Sequence, residues 1–192
     1  MKNLLQCSIN NCKEILVLPF ENTGFINHLP IIKESNTFIY VASLLPYKNH
    51  KALVKAWMNL SLKGITPKLY LTIDQNNQIS KWIKEKICTF NLNIILLENI
   101  ERYELMNIYK KIEYLIYPSY FEAYGLPLIE AKNYGLKLLT ADIDYCWDIV
   151  NPDDFFNPYD VSSIERCVKR AINVNENRTE ILKPNEFINK II

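Results

Sequence analysis

The sequence predicts an α/β protein built on a parallel sheet with helices on its faces. Three observations carry this. From Thr37 onward, apolar runs of strand length alternate with helix-length segments whose apolar residues recur at spacings of three and four. The stretch Leu115 to Gly135 reads as strand, glycine-bearing loop and helix, a connection that parallel sheets require. A chain of 192 residues, 49% apolar and 22% charged, suits one globular domain with a substantial core.

The elements follow in order. Met1 to Lys13 is polar, with room for a helical turn or two. Ile15 to Leu18 reads as a strand ended by Pro19, and Glu21 to Ser35 is irregular, broken by Gly24 and Pro30. Thr37 to Ser43 is the first strand of the alternating unit. Asn49 can cap a helix that runs to about Lys63 and stops at Gly64, with Leu53, Val54, Trp57, Leu60 and Leu62 along one broad face. Lys68 to Ile73 is a strand, and Ile79 to Phe90 a helix. Asn93 to Leu97 is a strand, and Arg102 to Lys111 a helix with Leu105, Ile108 and Tyr109 inward. Tyr114 to Tyr117 is a strand that Pro118 ends, because proline has no N–H for the ladder. Gly125-Leu126-Pro127 opens a helix, proline being suited to the first helical position, and Gly135 closes it as a left-handed residue. Lys137 to Thr140 is a strand, Tyr145 to Val150 a short helix, and Phe155-Phe156 a short strand. Ser162 to Asn173 is a helix with Ile164, Val168, Ala171 and Ile172 inward. The expected organisation is a junction segment over 1–36, a compact unit over 37–175 and a C-terminal arm over 176–192.

Composition excludes several classes. A net charge of +1 offers no basic face for nucleic acid. The five cysteines, Cys7, Cys12, Cys88, Cys146 and Cys167, show no CxxC or Cys/His metal spacing. They are expected reduced, in a cytoplasmic protein, as small buried hydrophobes. The N-terminus lacks the apolar run of a signal peptide, and no stretch approaches the roughly 18–20 apolar residues of a membrane span. The triplet at Asn177 is read as chance, and Asp142-x-Asp144 as loop rather than a metal motif.

Open parallel sheets bind ligands beyond the carboxyl ends of their strands. Ser43 to Asn49 and Ser119 to Gly125 both fall there. Lys48 precedes a helix start, where a cation, free amides and the helix dipole together suit a phosphate. A lone lysine is by default a solvated surface residue. Glu122 in the loop and Glu130 in the helix, with seven residues between them, have equally plain alternatives: a solvated loop acid, and a carboxylate favoured by the first turn of a helix. His50 is expected on the surface at a helix start, and His28 has no assigned role.

The combination is more specific than its parts. Pro118-Ser119, the E-x7-E pair Glu122/Glu130, Gly125-Leu126-Pro127, Ala131, Gly135 and the upstream Pro46-Tyr47-Lys48-Asn49 together make the chain resemble retaining glycosyltransferases of the GT-B type, group 1 or family 4. The match is to their C-terminal, nucleotide-sugar-binding half, a Rossmann-like doubly wound sheet, and it covers about Ile15 to Ile172. The resemblance implies a role for each motif residue. Lys48 and Asn49 would meet the donor diphosphate, Gly125 and Leu126 would set backbone around phosphate and sugar, and Glu130 would hold the ribose. Glu122 would face the donor sugar ring as the catalytic candidate. It implies transfer of a hexosyl group from a nucleoside-diphosphate sugar to a saccharide or lipid-linked acceptor, in surface polysaccharide synthesis, with no metal and no cofactor beyond the donor. The two glutamates are not a glycosidase pair, because sequence spacing does not place two carboxylates across a scissile bond.

Three departures stand out. Ala42-Ser43 replaces the family's usual Gly-Arg, so a neutral hydroxyl replaces a bidentate cation and phosphate neutralisation falls on Lys48, amides and Lys51. Ala123-Tyr124 replaces Gly-Phe. Glu98 replaces a glycine in the loop that meets the base. The family places its acceptor mainly on a first domain, which 192 residues leave no room for. The expected partner is therefore an N-terminal acceptor-domain chain, with peripheral association at the inner membrane face through that half or the acceptor. Two alternatives stay open: a non-catalytic nucleotide-binding or interaction module, and a vestigial fragment.

Overall fold

A computed structural model describes residues 32–73 and 78–174. The expected strand at Ile15–Leu18, the arm over 176–192, His28, Cys7, Cys12 and Asn177 lie outside them. Six parallel strands form one sheet: β1 (Glu34–Tyr40), β2 (Lys68–Ile73), β3 (Ile94–Glu98), β4 (Ile112–Tyr117), β5 (Lys137–Ala141) and β6 (Asp154–Phe156). Their spatial order is β3-β2-β1-β4-β5-β6. The helices are α1 (His50–Leu62), α2 (Gln78–Phe90), α3 (Arg102–Lys111), α4 (Leu126–Asn133), α5 (Asp144–Ile149) and α6 (Val161–Ala171). Right-handed crossovers place α1 and α2 on one face of this sheet and α3, α4 and α5 on the other. The sheet is thus Rossmann-like, as the alternation of elements anticipates.

The central strands read as unbroken apolar runs because both their faces are covered. Phe38, Ile39 and Tyr40 at the end of β1, and Leu115 and Ile116 in β4, are fully buried. Phe38 stacks on Tyr114 at 4.9 Å and meets Trp57 of α1 edge-on at 5.5 Å. α6 returns to pack against α1.

Some sequence expectations shift. β1 ends at Tyr40 rather than Ser43, because Thr72 takes over the next backbone groups. Its hydroxyl accepts from the Ala42 N–H and donates to the Ala42 carbonyl, each at 2.9 Å, which turns the chain out of the ladder toward the sheet's carboxyl edge. In α1, Leu53, Val54, Trp57 and Leu60 are buried as expected, but Leu62 is 73% exposed. It lies nine positions from Leu53, half a turn out of phase, so it points to the opposite side. Cys146 and Cys167 are buried as expected, whereas Cys88 is exposed.

Candidate functional site

The strand order reverses between β1 and β4, and the loops leaving those two strands face each other across the carboxyl edge. The β1 loop carries a 3₁₀ turn, Pro46–Lys48, and then Asn49 in the left-handed conformation at φ 58°. The β4 loop runs from Pro118 to Gly125. Backbone and side chains tie them together. The Tyr120 N–H donates to the Tyr47 carbonyl at 2.8 Å. The Asn49 amide donates to the carbonyls of Pro118 (3.2 Å) and Pro158 (2.9 Å), and its oxygen accepts from the Tyr120 hydroxyl at 2.9 Å.

Asn49 therefore differs from both its expected uses. It stands at the N-cap of α1, but its side chain caps nothing and instead braces the two loops, 6% exposed. His50 is also a correction. It is 2% exposed rather than a surface residue, packs on the Tyr40 ring at 4.9 Å, and neither ring nitrogen has a hydrogen-bond partner among the described residues. Burial first, then the neighbouring Lys48 charge, lower its pKa to about 4.

Lys48 reaches across from the β1 loop and pairs with the Glu122 carboxylate; both side chains are 11% exposed. The same carboxylate oxygen, Oε1, accepts from the Tyr117 hydroxyl at 2.5 Å and lies 3.3 Å from the Ser119 hydroxyl. Behind them, the Tyr40 hydroxyl donates to the Lys48 carbonyl at 2.6 Å and meets Ser119 Oγ at 2.9 Å. The lysine and the carboxylate expected to act on a donor thus neutralise each other in this structure.

Gly125 opens α4 at φ +58°, a conformation open to glycine without strain. A Cβ there would stand 2.7 Å from Ile149 Cδ1. Pro127 has no N–H, and that of Leu128 donates to the Gly125 carbonyl at 2.9 Å. The amides of Gly125 and Leu126 are left as the donors this helix end offers an anion.

These groups border a cleft of about 570 Å³ at the switch point. Ser43, Lys48, Glu122, Gly125 and Leu126 all line it, with Tyr117 at its floor and an apolar end formed by Ile73, Leu97, Ile100 and Leu105. Five of the seven sequence-selected site residues meet here. Asn49 does not, for the reason above. Glu130 does not either: it is the fifth residue of α4, beyond the first turn, and pairs with Arg102 at 3.0 Å. Burial raises its pKa, and Arg102 opposes that shift. Lys51 is exposed on α1 and does not line the cleft. Sequence reasoning passed over Tyr117, Tyr40, Thr72 and Arg102. The two tyrosines end apolar strands at the carboxyl edge, and a tyrosine whose ring is core-bound carries a polar tip that must find a partner. Among the described residues no group of three His, Cys, Asp or Glu side chains is placed to hold a metal ion, and no helix is long and apolar enough to cross a membrane.

A parallel sheet of this order, with a cation, a carboxylate and a helix N-terminus at its switch point, has the form of a Rossmann-like α/β domain. The chain belongs to the family of glycosyl transferases group 1, whose model matches residues 23–186. It is similar to the serotype-specific mannosyltransferase WbdA of Escherichia coli, 26% identical over 137 residues, which is 69% of this chain and 17% of that protein. It is equally similar to the protein CapJ of Staphylococcus aureus, 26% identical over 148 residues, 76% of this chain and 37% of that one. The chain therefore spans well under half the length of either relative. In fold it matches the catalytic domain of the cholesterol-α-glucosyltransferase of Helicobacter pylori with a TM-score of 0.59 at 16% identity, covering 71% of this chain and 86% of that domain.

Proposed function

We propose that this chain is the nucleotide-sugar-binding domain of a retaining glycosyltransferase, the C-terminal half of a GT-B pair. It holds a nucleoside-diphosphate hexose for transfer to a saccharide or lipid-linked acceptor in surface polysaccharide synthesis. The observation that carries this is the convergence of Ser43, Lys48, Glu122 and the Gly125 and Leu126 amides on one cleft at the switch point. The family membership and the mannosyltransferase among its relatives support the class of donor.

Each group has a task. Lys48 and the two amides neutralise the departing diphosphate, where charge builds as the sugar–phosphate bond breaks. The apolar end of the cleft receives the base. Glu122 accepts from hydroxyls of the donor sugar. Glu130 turns from Arg102 to the ribose; that exposed pair costs little to open, about 1 kcal/mol or less. In front-face transfer the acceptor hydroxyl oxygen bonds to the anomeric carbon as the bond to phosphate breaks, and the leaving diphosphate takes the hydroxyl proton. No cofactor beyond the donor enters.

The acceptor is held by a second domain, on the same or another chain. The small share of WbdA and CapJ that this chain spans supports that division. A neutral Ser43 in place of an arginine favours a second possibility, a domain that binds nucleotide without supporting transfer. Sugar release is therefore measured with GDP-mannose and UDP-glucose, using the 192-residue chain alone and then mixed with an acceptor-binding GT-B half. Binding without turnover alone, and turnover on mixing, is the expected result. Robust transfer to a saccharide by the chain alone contradicts the division of labour. Binding that never leads to transfer selects the second possibility.

A further inference from the structure

The Glu122 side chain is 11% exposed, and among the described residues every hydrogen bond it accepts falls on Oε1. Counting protons ranks its donors. The Tyr40 hydroxyl gives its single proton to the Lys48 carbonyl at 2.6 Å, so in its contact with Ser119 the serine is the donor. Ser119 also has one proton, and its 2.9 Å contact with Tyr40 is closer than its 3.3 Å approach to Glu122. That leaves Lys48 and Tyr117 as the committed donors to the carboxylate. Among the described residues the Tyr117 hydroxyl has no other hydrogen-bond partner. Burial raises its hydroxyl pKa, and the bond to Glu122 pushes the same way, so it stays a donor. Its ring is 1% exposed and set edge-on against Tyr40 at 5.5 Å.

Lys48 is the donor that must leave. On the function proposed above, on which this inference rests, the donor diphosphate takes its ammonium. A buried carboxylate that loses its cation is costly unless another donor holds it. The geometry points to Tyr117 as the positioning residue of the site: its hydroxyl holds Glu122 Oε1 while Lys48 exchanges Glu122 for the donor diphosphate. Oε2 then stays free to accept from a hydroxyl of the donor sugar.

The test separates the sugar from the nucleotide. Amide-shift titrations are run with GDP beside GDP-mannose and UDP beside UDP-glucose. The proteins are the wild-type chain, Tyr117→Phe, Glu122→Ala and the double variant. Tyr117→Phe is expected to leave affinity for the bare nucleotide within about twofold and to weaken the sugar form about tenfold relative to it. In the Glu122→Ala background Tyr117→Phe should change neither, because it acts through that carboxylate. Equal loss of both ligands, no loss of the sugar form, or the same loss without Glu122 overturns the positioning role and leaves the donor site standing. No binding of any ligand by the wild-type chain overturns the donor site itself, and this inference with it. If Tyr117→Phe does not fold, 3-fluorotyrosine at position 117 keeps the ring and makes the hydroxyl a stronger donor. It is then expected to tighten the sugar form relative to the nucleotide, and unchanged relative affinity overturns the role.

Discussion

Two carboxylates, one part-buried and one buried, sit at opposite ends of α1 and do different work. Glu122 faces the start of the helix, where Lys48 meets it inside an open cleft. Glu165, on α6, meets the other end: Lys63, just past α1, and Lys169, one turn along α6, both pair with its Oε1. Burial alone would raise the pKa of Glu165, but hydrogen bonds from Lys169 and Lys63 outweigh it and hold the group below the usual carboxylate range. Around Glu165 there are, among the described residues, two cations for one carboxylate, and it does not line the switch-point cleft, so the cluster fastens α6 to α1. Around Glu122 there is one cation, a tyrosine hydroxyl and room for a ligand. An ion pair by itself marks neither a site nor a clamp. The space beside it and the partners left over when a ligand arrives make the difference.

The comparison breaks most visibly at Glu165. Removing it leaves two lysines, one of them 6% exposed, without this carboxylate. Glu165→Ala is expected to cost about 3–5 kcal/mol of unfolding free energy, read by urea titration, with nucleotide affinity of the folded fraction unchanged. A loss of affinity with stability intact would reverse the roles assigned to the two carboxylates.

Acid sharpens it next, through His50 at the first position of α1. Its pKa is about 4 in the folded chain against 6.5 for an ordinary histidine. Above pH 6.5 both states are neutral and the group contributes no pH dependence. Between 6.5 and 4 the unfolded chain takes up a proton that the folded chain refuses, so stability falls as pH falls, by about 3 kcal/mol in all. Glu165 adds its own loss only lower, as pH falls through its depressed pKa. Denaturation between pH 7 and 4 should lose most of its slope in His50→Phe. An unchanged slope would show that His50 is not buried neutral.

The smallest expected effect lies at the exposed pair. Arg102→Ala, which frees Glu130, should change stability by about 1 kcal/mol or less and leave nucleotide binding equal or slightly tighter, since the carboxylate no longer has to leave a partner. A marked loss of binding would mean that Arg102 itself touches the ligand.

Much of this was legible in the sequence. Alternating apolar runs placed every described strand, because buried parallel strands write themselves as runs of apolar residues, here Ile, Leu, Tyr and Phe. Pro118, Gly125, Pro127 and Gly135 marked the central turn and helix, since each has a backbone requirement that shows in its identity. Five of the cleft residues could be named because the motif resemblance picked them out, and loops after parallel strands bring them to one rim. What could not be read was pairing. Nothing in the order of residues shows that Lys48 lies against Glu122, seventy-four positions away, or Glu130 against Arg102. Asn49 and His50 looked like a cap and a surface residue because their local spacing permits both. Tertiary contacts with Tyr120, Pro118 and Tyr40 decided otherwise.

The most direct test of the donor site is a nucleotide titration of the purified chain, following amide shifts with UDP, GDP and ADP, beside Lys48→Ala. The expected result is saturable binding of one nucleotide, with shifts at Ser43, Lys48, Gly125 and Leu126. Lys48→Ala should weaken it about tenfold or more, as loss of a charge-assisted contact does. No shifts at millimolar nucleotide in a well-folded sample, or saturable shifts away from the switch point that ignore Lys48→Ala, would contradict it.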